Sequence, residues 1–378
     1  MGDLVKLMDV CDINMGQSPD SASYNSDHRG LPFFQGNADF GEMSPSVRLW
    51  CDAPTKIATA GDLLVSVRAP IGAINVANCQ CCIGRGLAAL TAKVNVCDPS
   101  WLYFALVSRV PEMQKQGTGS TFKAINKNGL MNLSLPKCSL NKQREIANRL
   151  HTIRSLCKSR QQQLDILDKL AKSRFIELFG DIIQNNKNWP RRQFDTVATS
   201  RLGKMLDAKK QTGRYKFPYL ANCNVQWFHF DLAELKEMDF DEEDQKEFEL
   251  REGDLLVCEG GEIGRCAVWH NEIQPCYFQK AIHRVRCNLN LILPNYLTWW
   301  FKISCENNAF QNIAGAKATI AHLPGEKLKK LLVTVPPIGL QKDFALFLGQ
   351  LDKSKLIVQN AGKCLKKLFE AVNYREDL

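Results

Sequence analysis

The sequence contains one local pattern twice at a fixed spacing. Residues 61–65 read Gly-Asp-Leu-Leu-Val and precede Ile71-Gly72, and residues 253–257 repeat the same five letters before Ile263-Gly264. The offset is 192 residues at both anchors. Other marks recur in the same order: Val10 and Gly16 with Val197 and Gly203, Pro32 with Pro218, residues 99–102 with 294–297, and Thr121 with Thr319. This period predicts a tandem duplication of one domain of about 190 residues. Two copies of one binding module would suit a two-part, pseudo-symmetric target.

Length and composition also favour two soluble folding units. The chain has 378 residues, 45% of them hydrophobic and 24% charged, so each half is long enough to bury its own core. No apolar run approaches the roughly 20 residues needed to cross a bilayer. Residues 1–6 lack a basic start followed by an apolar stretch, so we expect a cytoplasmic protein.

Cysteine usage does not predict a metal site. The fifteen cysteines are scattered, and the cluster of Cys79, Cys81 and Cys82 has no second pair at zinc spacing. The six histidines are dispersed as well. We therefore expect reduced thiols that fill the core.

The charge is positive and uneven. The formal net charge is +9 and the pI is near 8.8, although residues 231–254 are strongly acidic. A polyanion is a reasonable partner for the basic remainder, while solvated lysines are the alternative reading. The acidic stretch is expected to form an exposed face turned away from any phosphate.

Each half is followed by a long segment with heptad spacing, which is typical of a coiled-coil helix. Arg160 and Arg174 occupy two positions of the first apolar seam, and Gly180 supplies a stop signal. The predicted helix-pairing residues are Ile146, Leu150, Ile153, Leu164, Leu167, Phe344, Phe347, Leu351, Val358, Leu365 and Leu368. The same rhythm also includes Cys157, Ala171, Leu178, Ser354, Ala361 and Val372.

Two helices of about 35 to 40 residues would each span roughly 50 to 60 Å. A compact domain cannot bury an apolar stripe along that whole length. We therefore expect the helices to pack antiparallel on each other, with a dyad that relates the two globular copies. The alternative, that each helix folds back on its own domain, stays open.

Within each copy, short strands alternate with Gly, Pro and Asn. Residues 63–67 and 255–258 are predicted to form buried strands, and residues 101–106 and 296–301 short buried helices. Small-residue loops carrying a lysine follow at 117–123 and 315–319. Each copy closes with a strand that ends at a proline, Pro136 or Pro336.

The order of these elements resembles one known family. A Gly-Asp-Leu-Leu strand with a trailing Ile-Gly, a small-residue loop with Thr and a strand ending in Pro occur twice, and Gln143-Arg144 or Gln341-Lys342 then opens the long helix. Over nearly its whole length the chain looks like the specificity subunit of a type I restriction-modification system. The resemblance implies an α+β fold with two tandem mixed α/β target-recognition domains separated by two long helices, which form an antiparallel coiled coil with pseudo-two-fold symmetry. The implied boundaries are residues 1–140, 141–180, 181–338 and 339–378.

The resemblance also implies the function. Such a subunit recognises double-stranded DNA, each domain reading one half of a bipartite, interrupted site. The helices act as a ruler and dock two modification (methyltransferase) subunits and the restriction (motor-nuclease) subunits. No cofactor is expected in this chain, because S-adenosylmethionine, ATP and Mg would belong to the partner subunits. No membrane partner is implied.

Catalytic motifs are missing, which favours a binding protein. The one Pro-Pro pair, Pro336-Pro337, ends a strand and lacks the pattern of an adenine methyltransferase loop. A nuclease set of Asp231, Glu234 and Lys236 has no matching strand context. The glycines at 260, 261 and 264 are not followed by the Lys-Ser/Thr of a phosphate loop.

Two other classes of protein could contain such a duplication. A single-chain enzyme with pseudo-dimeric sites would need paired catalytic residues in both copies, and none are found. A helical scaffold or adaptor without DNA specificity remains the alternative, and DNA retention that falls steeply with salt would separate it from a DNA reader.

The candidate DNA contacts are basic and amide side chains in the recurring loops, because amides can pair with adenine, arginine with guanine and lysine with phosphate. In the first copy they are Gln17, Ser18, Asn37, Arg68, Arg85 and Lys123. In the second copy they are Lys204, Lys209, Lys210, Asn222, Asn224, Gln279, Lys280 and Lys317. Because residues 68–70 differ from 259–261, and Arg85 is matched by sequence with Gln279, the two copies are expected to read different half-sites.

Overall fold

The structure is a computed structural model that describes residues 3–117, 123–207, 211–310 and 322–374. The chain forms two compact units. The first unit consists of Met1–Gln163 together with Val358–Leu378, and the second of Leu164–Ile357. None of the described helices is both long and apolar enough to span a bilayer.

The first unit contains eleven strands and four short helices within its described residues. The strands are β1 Leu4–Lys6, β2 Cys11–Met15, β3 Tyr24–Asn25, β4 Leu31–Phe34, β5 Leu49–Cys51, β6 Ile57–Ala58, β7 Leu63–Ser66, β8 Ile74–Val76, β9 Cys81–Ile83, β10 Leu87–Ala92 and β11 Ser134–Pro136. The short helices are α1 Leu7–Val10, α2 Pro99–Ser108, α3 Val110–Gln116 and α4 Lys127–Met131. The first long helix, α5, is Leu140–Phe179.

The second unit repeats this order. Its described strands are β12 Arg191–Gln193, β13 Ala198–Leu202, β14 Lys216–Leu220, β15 Val225–Gln226, β16 His229–Phe230, β17 Lys236–Asp239, β18 Leu255–Cys258, β19 Cys266–Val268, β20 Tyr277–Phe278, β21 Ile282–Cys287 and β22 Leu332–Thr334. Its short helices are α6 Phe194–Val197, α7 Glu242–Phe248, α8 Pro294–Glu306 and α9 Gly325–Lys329, and the second long helix, α10, is Ile338–Tyr374.

The duplication predicted from the sequence is confirmed by the sheet topology. The first unit has a four-stranded antiparallel sheet in the order β2-β10-β7-β8, and the second unit has β13-β21-β18-β19. A two-stranded ladder, β1-β11 or β12-β22, accompanies each. The second layer differs, because the first unit has a five-stranded sheet, β3-β5-β4-β9-β6, where the second has a three-stranded sheet, β17-β14-β20, and a separate β15-β16 hairpin.

Local sequence explains the repeated elements. Strands β7 and β18 are buried at all four positions, as their largely apolar sequences predict. Helix α2 begins at Pro99, and the Asp98 side chain caps it by accepting hydrogen bonds from the N–H groups of Ser100 and Trp101, both at 3.0 Å. Helix α5 ends where Gly180, at φ +74°, takes the left-handed conformation that glycine favours.

Each unit builds its core with segments of both long helices. In the first unit, Ile146 and Leu150 of α5 and Phe369 of α10 belong to one core, and the rings of Phe104 and Phe369 lie 6.0 Å apart. In the second unit, the ring of Phe175 of α5 lies 5.5 Å from that of Phe344 of α10. The alternative left open by the sequence, that each helix folds back on its own domain, is therefore not what is observed within either unit.

The helix seam follows the heptad pattern with two departures. All ten seam positions of α5, Arg160 and Arg174 included, are buried or half-buried. In α10, however, Ser354 is exposed and Leu368 is 49% exposed. Lys355 and Phe369 face inward instead. The reason is that the next inward position after Leu351 is four residues on, at Lys355, and the next after Leu365 is four residues on, at Phe369. The heptad pattern predicted a step of three at both places.

A buried glutamine opens both long helices. The Gln341 Oε1 accepts a hydrogen bond from the Leu293 N–H at 2.8 Å, and its Nε2 donates to the Pro336 and Leu291 carbonyls at 2.8 and 3.0 Å. Gln143 does the same with the Asp98 N–H and the carbonyls of Val96 and Cys138. The Gln341 side chain is 0% exposed and the Gln143 side chain 3%. Each connects its long helix to the end of the preceding strand, β22 or β11, and to the start of helix α8 or α2.

We expect Gln341→Ala to lower the free energy of unfolding of the second unit by about 2 to 3 kcal/mol, because it removes three hydrogen bonds from backbone groups that are buried or half-buried. Calorimetric unfolding of the full chain measures this. The exposed Gln350→Ala on the same helix is the control and should unfold like the wild type. Equal unfolding of the two variants would contradict the anchoring role.

Candidate nucleic-acid interface

Five loop segments of the first unit meet at one end of the strands of its four-stranded sheet. The Gln17 N–H donates to the Ile83 carbonyl at 3.1 Å, and the Gly84 N–H donates to the Phe34 carbonyl at 2.8 Å. The Val67 N–H donates to the Gly86 carbonyl at 2.9 Å. We call residues 16–18, 35–37, 67–69, 84–86 and 123–124 the first loop edge.

Glycines allow this close approach. A Cβ atom on Gly16 would lie 2.2 Å from the Gly84 carbonyl oxygen, and one on Gly86 would lie 2.3 Å from the Gln35 carbonyl oxygen. Both neighbours are backbone atoms that cannot rotate away. Only glycine fits at these two positions.

All six candidates of the first copy lie on the first loop edge. Gln17, Arg68, Arg85 and Lys123 are exposed, while Ser18 and Asn37 are half-buried. The Ser18 Oγ accepts a hydrogen bond from the Arg85 N–H at 3.4 Å, and the Ala69 N–H donates to the Lys123 carbonyl at 3.1 Å. Within the described ranges, the three cations at 68, 85 and 123 form no ion pair, so their charge is available to a polyanion.

The second unit has the equivalent edge. The Gly203 N–H donates to the Ile282 carbonyl at 3.0 Å, the Gln279 N–H to the Leu220 carbonyl at 3.0 Å, and the Glu259 N–H to the Ala281 carbonyl at 2.9 Å. A Cβ atom on Gly203 would lie 2.3 Å from the Gln279 carbonyl oxygen. Ala281 adopts a φ of +87°, a strained value for a residue with a side chain. We call residues 203–204, 220–222, 259–260, 279–281 and 322–323 the second loop edge.

These bonds correct the pairing made from the sequence. Gln279 donates to Leu220 as Gly84 donates to Phe34, so Gln279 is the counterpart of Gly84. The counterpart of Arg85 is therefore Lys280, which is likewise exposed. The sequence pairing of Arg85 with Gln279 used an offset of 194 residues and was wrong by one position, because the offset between the copies rises from 192 residues at β7 and β18 to 195 at β10 and β21. Both edges thus carry an exposed cation at the same turn.

Two candidates of the second copy have structural roles. Lys204 is largely buried, pairs with the carboxylate of Asp244 and donates from Nζ to the Asp239 carbonyl at 2.7 Å. Asn224 is 6% exposed, and its Oδ1 accepts from the Ala221 N–H at 2.9 Å. These partners hold both side chains within the fold, which argues against contact with DNA. The sequence could not show this, because the carboxylate that holds Lys204 lies forty residues away.

The remaining candidates of the second copy divide into two groups. Asn222 is half-buried, and its Nδ2 donates to the Gly260 carbonyl at 3.0 Å. Its Oδ1 is buried, and the described chain offers it no hydrogen-bond partner. Lys209, Lys210 and Lys317 lie outside the described residues, as do most of the two small-residue loops predicted to carry lysines.

Most acidic side chains of residues 231–254 are exposed, as expected, but some of the carboxylates form ion pairs or hydrogen bonds within the second unit. Asp244 pairs with Lys204, Glu247 pairs with Arg201, and Asp254 pairs with Arg286 at 2.7 Å. Asp239, 5% exposed, accepts hydrogen bonds from nearby N–H groups. Burial acts to raise the pKa of Asp239, but the N–H groups of Gly213, Thr212 and Tyr215 lower it overall.

The cysteine cluster lies in the core of the first unit. Cys81 and Cys82 are buried and Cys79 is half-buried. Burial raises the pKa of the Cys81 thiol to about 12, so the thiol is protonated at neutral pH. No group of three or more metal-binding side chains occurs among the residues that the structure describes.

A buried histidine supports the second loop edge. His283 is 1% exposed, and its Nε2 lies 2.9 Å from the carbonyl of Leu323, whose N–H donates to the Glu259 carbonyl. Burial lowers the pKa of His283 below its usual value of 6.5, so the neutral ring donates this bond.

The comparisons with known proteins agree with this duplicated architecture. The family model described as "Type I restriction modification DNA specificity domain" matches residues 3–167 and 186–363. The chain therefore belongs to this family.

Individual relatives match over shorter stretches. A specificity subunit of Methanocaldococcus jannaschii, named for the type I restriction enzyme MjaX, is 38% identical over 160 residues, which are 42% of this chain and 38% of the relative. The MjaIX specificity subunit of the same organism is 27% identical over 150 residues, which are 39% of this chain and 32% of the relative. The chain thus spans about two fifths or less of these curated relatives. The crystal structure of a type I restriction-modification S subunit from M. genitalium covers 100% of this chain and 96% of its own, with a TM-score of 0.61 and 15% identity, which indicates a shared fold.

We expect Gly16→Ala to destabilise the first unit by about 1 to 3 kcal/mol, because the new methyl group would overlap a carbonyl oxygen and force the loops apart. Gly36→Ala is the matched control, since its Cβ atom would meet nothing within 4 Å. Thermal unfolding of both variants is the measurement, and a Gly16→Ala protein as stable as the control would contradict the close-packing argument.

We also expect a pH-dependent loss of stability in the second unit. Because the pKa of His283 is lower in the folded state, the unfolded chain binds more protons as the pH falls. The contribution is complete above the unfolded pKa of 6.5 and is lost as the pH falls from there toward the folded value. Denaturant titrations at several pH values should show a weaker acid-side decline in His283→Gln than in the wild type. The exposed His229→Gln should follow the wild type, and parallel curves for all three proteins would count against the assignment.

Proposed function

We propose that this chain is the DNA specificity subunit of a type I restriction-modification complex, in which each unit reads one half of a bipartite, interrupted DNA site. The observation that carries the proposal is the repeated loop edge. Both units hold the same backbone network, and each presents an exposed cation at the same turn, Arg85 or Lys280. Membership of the DNA specificity domain family supports DNA as the polyanion.

The two units are proposed to read different half-sites. Their shared sheets have the same strand order, whereas the second layers and the loop-edge side chains differ. Arg68 forms an isolated β-bridge with Ala124, and Gly260 forms the equivalent bridge with His322. Arg68 of the first loop edge therefore corresponds to Gly260 of the second. A common scaffold with different side chains at its edge would keep the docking geometry and change the bases contacted.

The long helices are proposed to pair antiparallel as a coiled coil with a pseudo-dyad, so that their length sets the distance between the half-sites. Contacts inside the second unit support an antiparallel course there. Lys355 pairs with Asp168 at 2.7 Å, and Phe344, eleven residues earlier on α10, contacts Phe175, seven residues later on α5. The assignment of residues 1–140, 141–180, 181–338 and 339–378 as domain, helix, domain and helix remains part of this proposal.

The chain is proposed to act without catalysis or a cofactor of its own. Two modification subunits and the restriction subunits would supply S-adenosylmethionine, ATP and Mg, and adenine methylation would be their activity. The names of the curated relatives as specificity subunits of restriction enzymes support this division of labour. A cytoplasmic location follows from the same proposal, because the DNA and the partner subunits are found there.

Substitution of the two equivalent cations tests the reading of separate half-sites. We expect Arg85→Gln to weaken discrimination in one half of the site and Lys280→Gln in the other, each by about 1 to 3 kcal/mol per affected base pair. Competition binding with duplexes altered in one half at a time measures this. Lys353→Gln, on the exposed side of α10, is the control. If both variants relax the same half, the proposal of one reading edge per unit is wrong.

Lengthening a helix tests the ruler. Four residues inserted near Arg160 would lengthen α5 by about 6 Å. Since one base pair advances the DNA axis by about 3.4 Å, the preferred spacer should grow by one to two base pairs, with specificity within each half unchanged. A binding or methylation series on duplexes with graded spacers gives the optimum. Retained binding at the original optimum would show that the helices do not set the spacing.

A further inference from the structure

The second unit has an open cleft. It lies between one face of the paired strands β13 and β21 on one side and the end of helix α7 on the other. Its volume is about 260 Å³. The cleft is lined by Thr199, Arg201, Lys246, Glu247, Arg284 and Arg286. Four cations therefore face one small space.

The positive charges in the cleft are only partly neutralised. Arg286 Nε pairs with Asp254 Oδ1 at 2.7 Å, and Arg201 pairs with the Glu247 carboxylate. Lys246 and Arg284 form no ion pair with any described residue. Four cations thus meet two carboxylates, and the cleft keeps a net positive charge.

Arg284 is held in place in a way that favours an anion. Its Nη1 donates to the carbonyls of Glu247 and Glu249 at 2.6 and 3.2 Å, and its guanidinium carbon lies 5.3 Å from the centroid of the Phe278 ring. Burial, together with the adjacent charge of Arg286, lowers the pKa of Arg284 to about 10. The carboxylates of Asp254 and Glu247 act to raise the pKa of Arg284, but neither forms a direct ion pair with it. A rigid, partly desolvated guanidinium of this kind can bind an entering anion with little loss of side-chain entropy.

The fold does not require these arginines. By strand register, Arg201 and Arg284 of the second unit correspond to Asn14 and Ala89 of the first. Arg286 corresponds to Thr91, which donates from Oγ1 to Asp62 as Arg286 donates to Asp254. The same sheet therefore forms in the first unit without a single arginine at these three positions.

The cleft lies beside the second loop edge. Strand β13 ends at Leu202, directly before Gly203, and the N–H of Gly203 donates to the carbonyl of Ile282, the first residue of β21. Arg284 follows two residues later on β21, which places its backbone about 7 Å from the edge.

We propose that this cleft binds a phosphate group of the DNA backbone next to the half-site read by the second unit, and that the first unit lacks this contact. The proposal rests on the DNA-binding function proposed above. A phosphate would complete the charge balance of Arg284 and Lys246. Such a contact adds salt-dependent affinity without adding base specificity, so the two half-sites would contribute unequally to binding.

The test measures the affinity of the full chain for a labelled duplex as a function of salt concentration. Lys246→Gln and Arg284→Ala should each weaken binding equally for all sequences and reduce the slope of log K against log salt by up to about 0.9. Glu247→Gln should act in the opposite direction, because it releases Arg201 from its ion pair. Lys353→Gln is the matched control and should keep the wild-type slope.

Folding of each variant is checked by thermal unfolding. Lys246 is exposed, so Lys246→Gln tests the cleft even if Arg284→Ala proves unstable. If the wild type binds DNA and the Lys246 and Glu247 variants keep its slope, the cleft proposal is wrong while the DNA-binding function stands. If the wild type fails to bind DNA at low salt, the proposed function itself fails, and the cleft proposal with it. If inorganic phosphate stabilises the wild type but not Arg284→Ala, and their DNA slopes are equal, the cleft takes a free anion and its assignment to DNA is wrong.

Discussion

The hydrogen bonds of one buried glutamine at the start of each long helix fix the geometry of each unit. Gln143 and Gln341 each bind the backbone just before helix α2 or α8 and just after the last strand, β11 or β22. A buried amide with three backbone partners has one low-energy position, so the first turn of the long helix cannot rotate relative to the sheet. The direction of the long helix relative to the sheet is therefore set by this side chain within each unit.

The repeated Gly-Asp pair shows why much of the scaffold could be predicted from the sequence. Gly61 and Gly253 adopt φ values of +94° and +84°, and the following aspartates accept hydrogen bonds from the N–H groups of Thr59 and Arg251. The left-handed glycine and the hydrogen bond to the aspartate both involve residues at most three positions apart. Local turn chemistry of this kind leaves a mark in the sequence, and so do the heptads and the prolines that begin α2 and α8.

The reading surface was harder to predict, because its contacts join distant residues. Lys204 and Asn224 have the residue types of DNA contacts, yet each is held by backbone or carboxylate groups from other loops. The match of Lys280 with Arg85 needed the backbone hydrogen bonds, since three extra residues separate the copies before β21. The inward position of Phe369 was also missed, because it depends on a local change in the step of the helix seam. The arginines on β21 left a weak signal, an alternation of Arg284 and Arg286 on one face of a strand.

The internal use of acidic residues has a consequence for specificity. Phosphate contacts give affinity for any DNA, so each uncompensated cation on the surface strengthens binding to wrong sequences as much as to the right one. In the second unit, the carboxylates at 244, 247 and 254 neutralise Lys204, Arg201 and Arg286. On the loop edge and in the cleft, Lys280, Arg284 and Lys246 have no ion pair with a carboxylate among the described residues. Neutralising Lys204, Arg201 and Arg286 lowers the contribution of these three cations to non-specific affinity, so that contacts with the bases have more weight in deciding which site is bound.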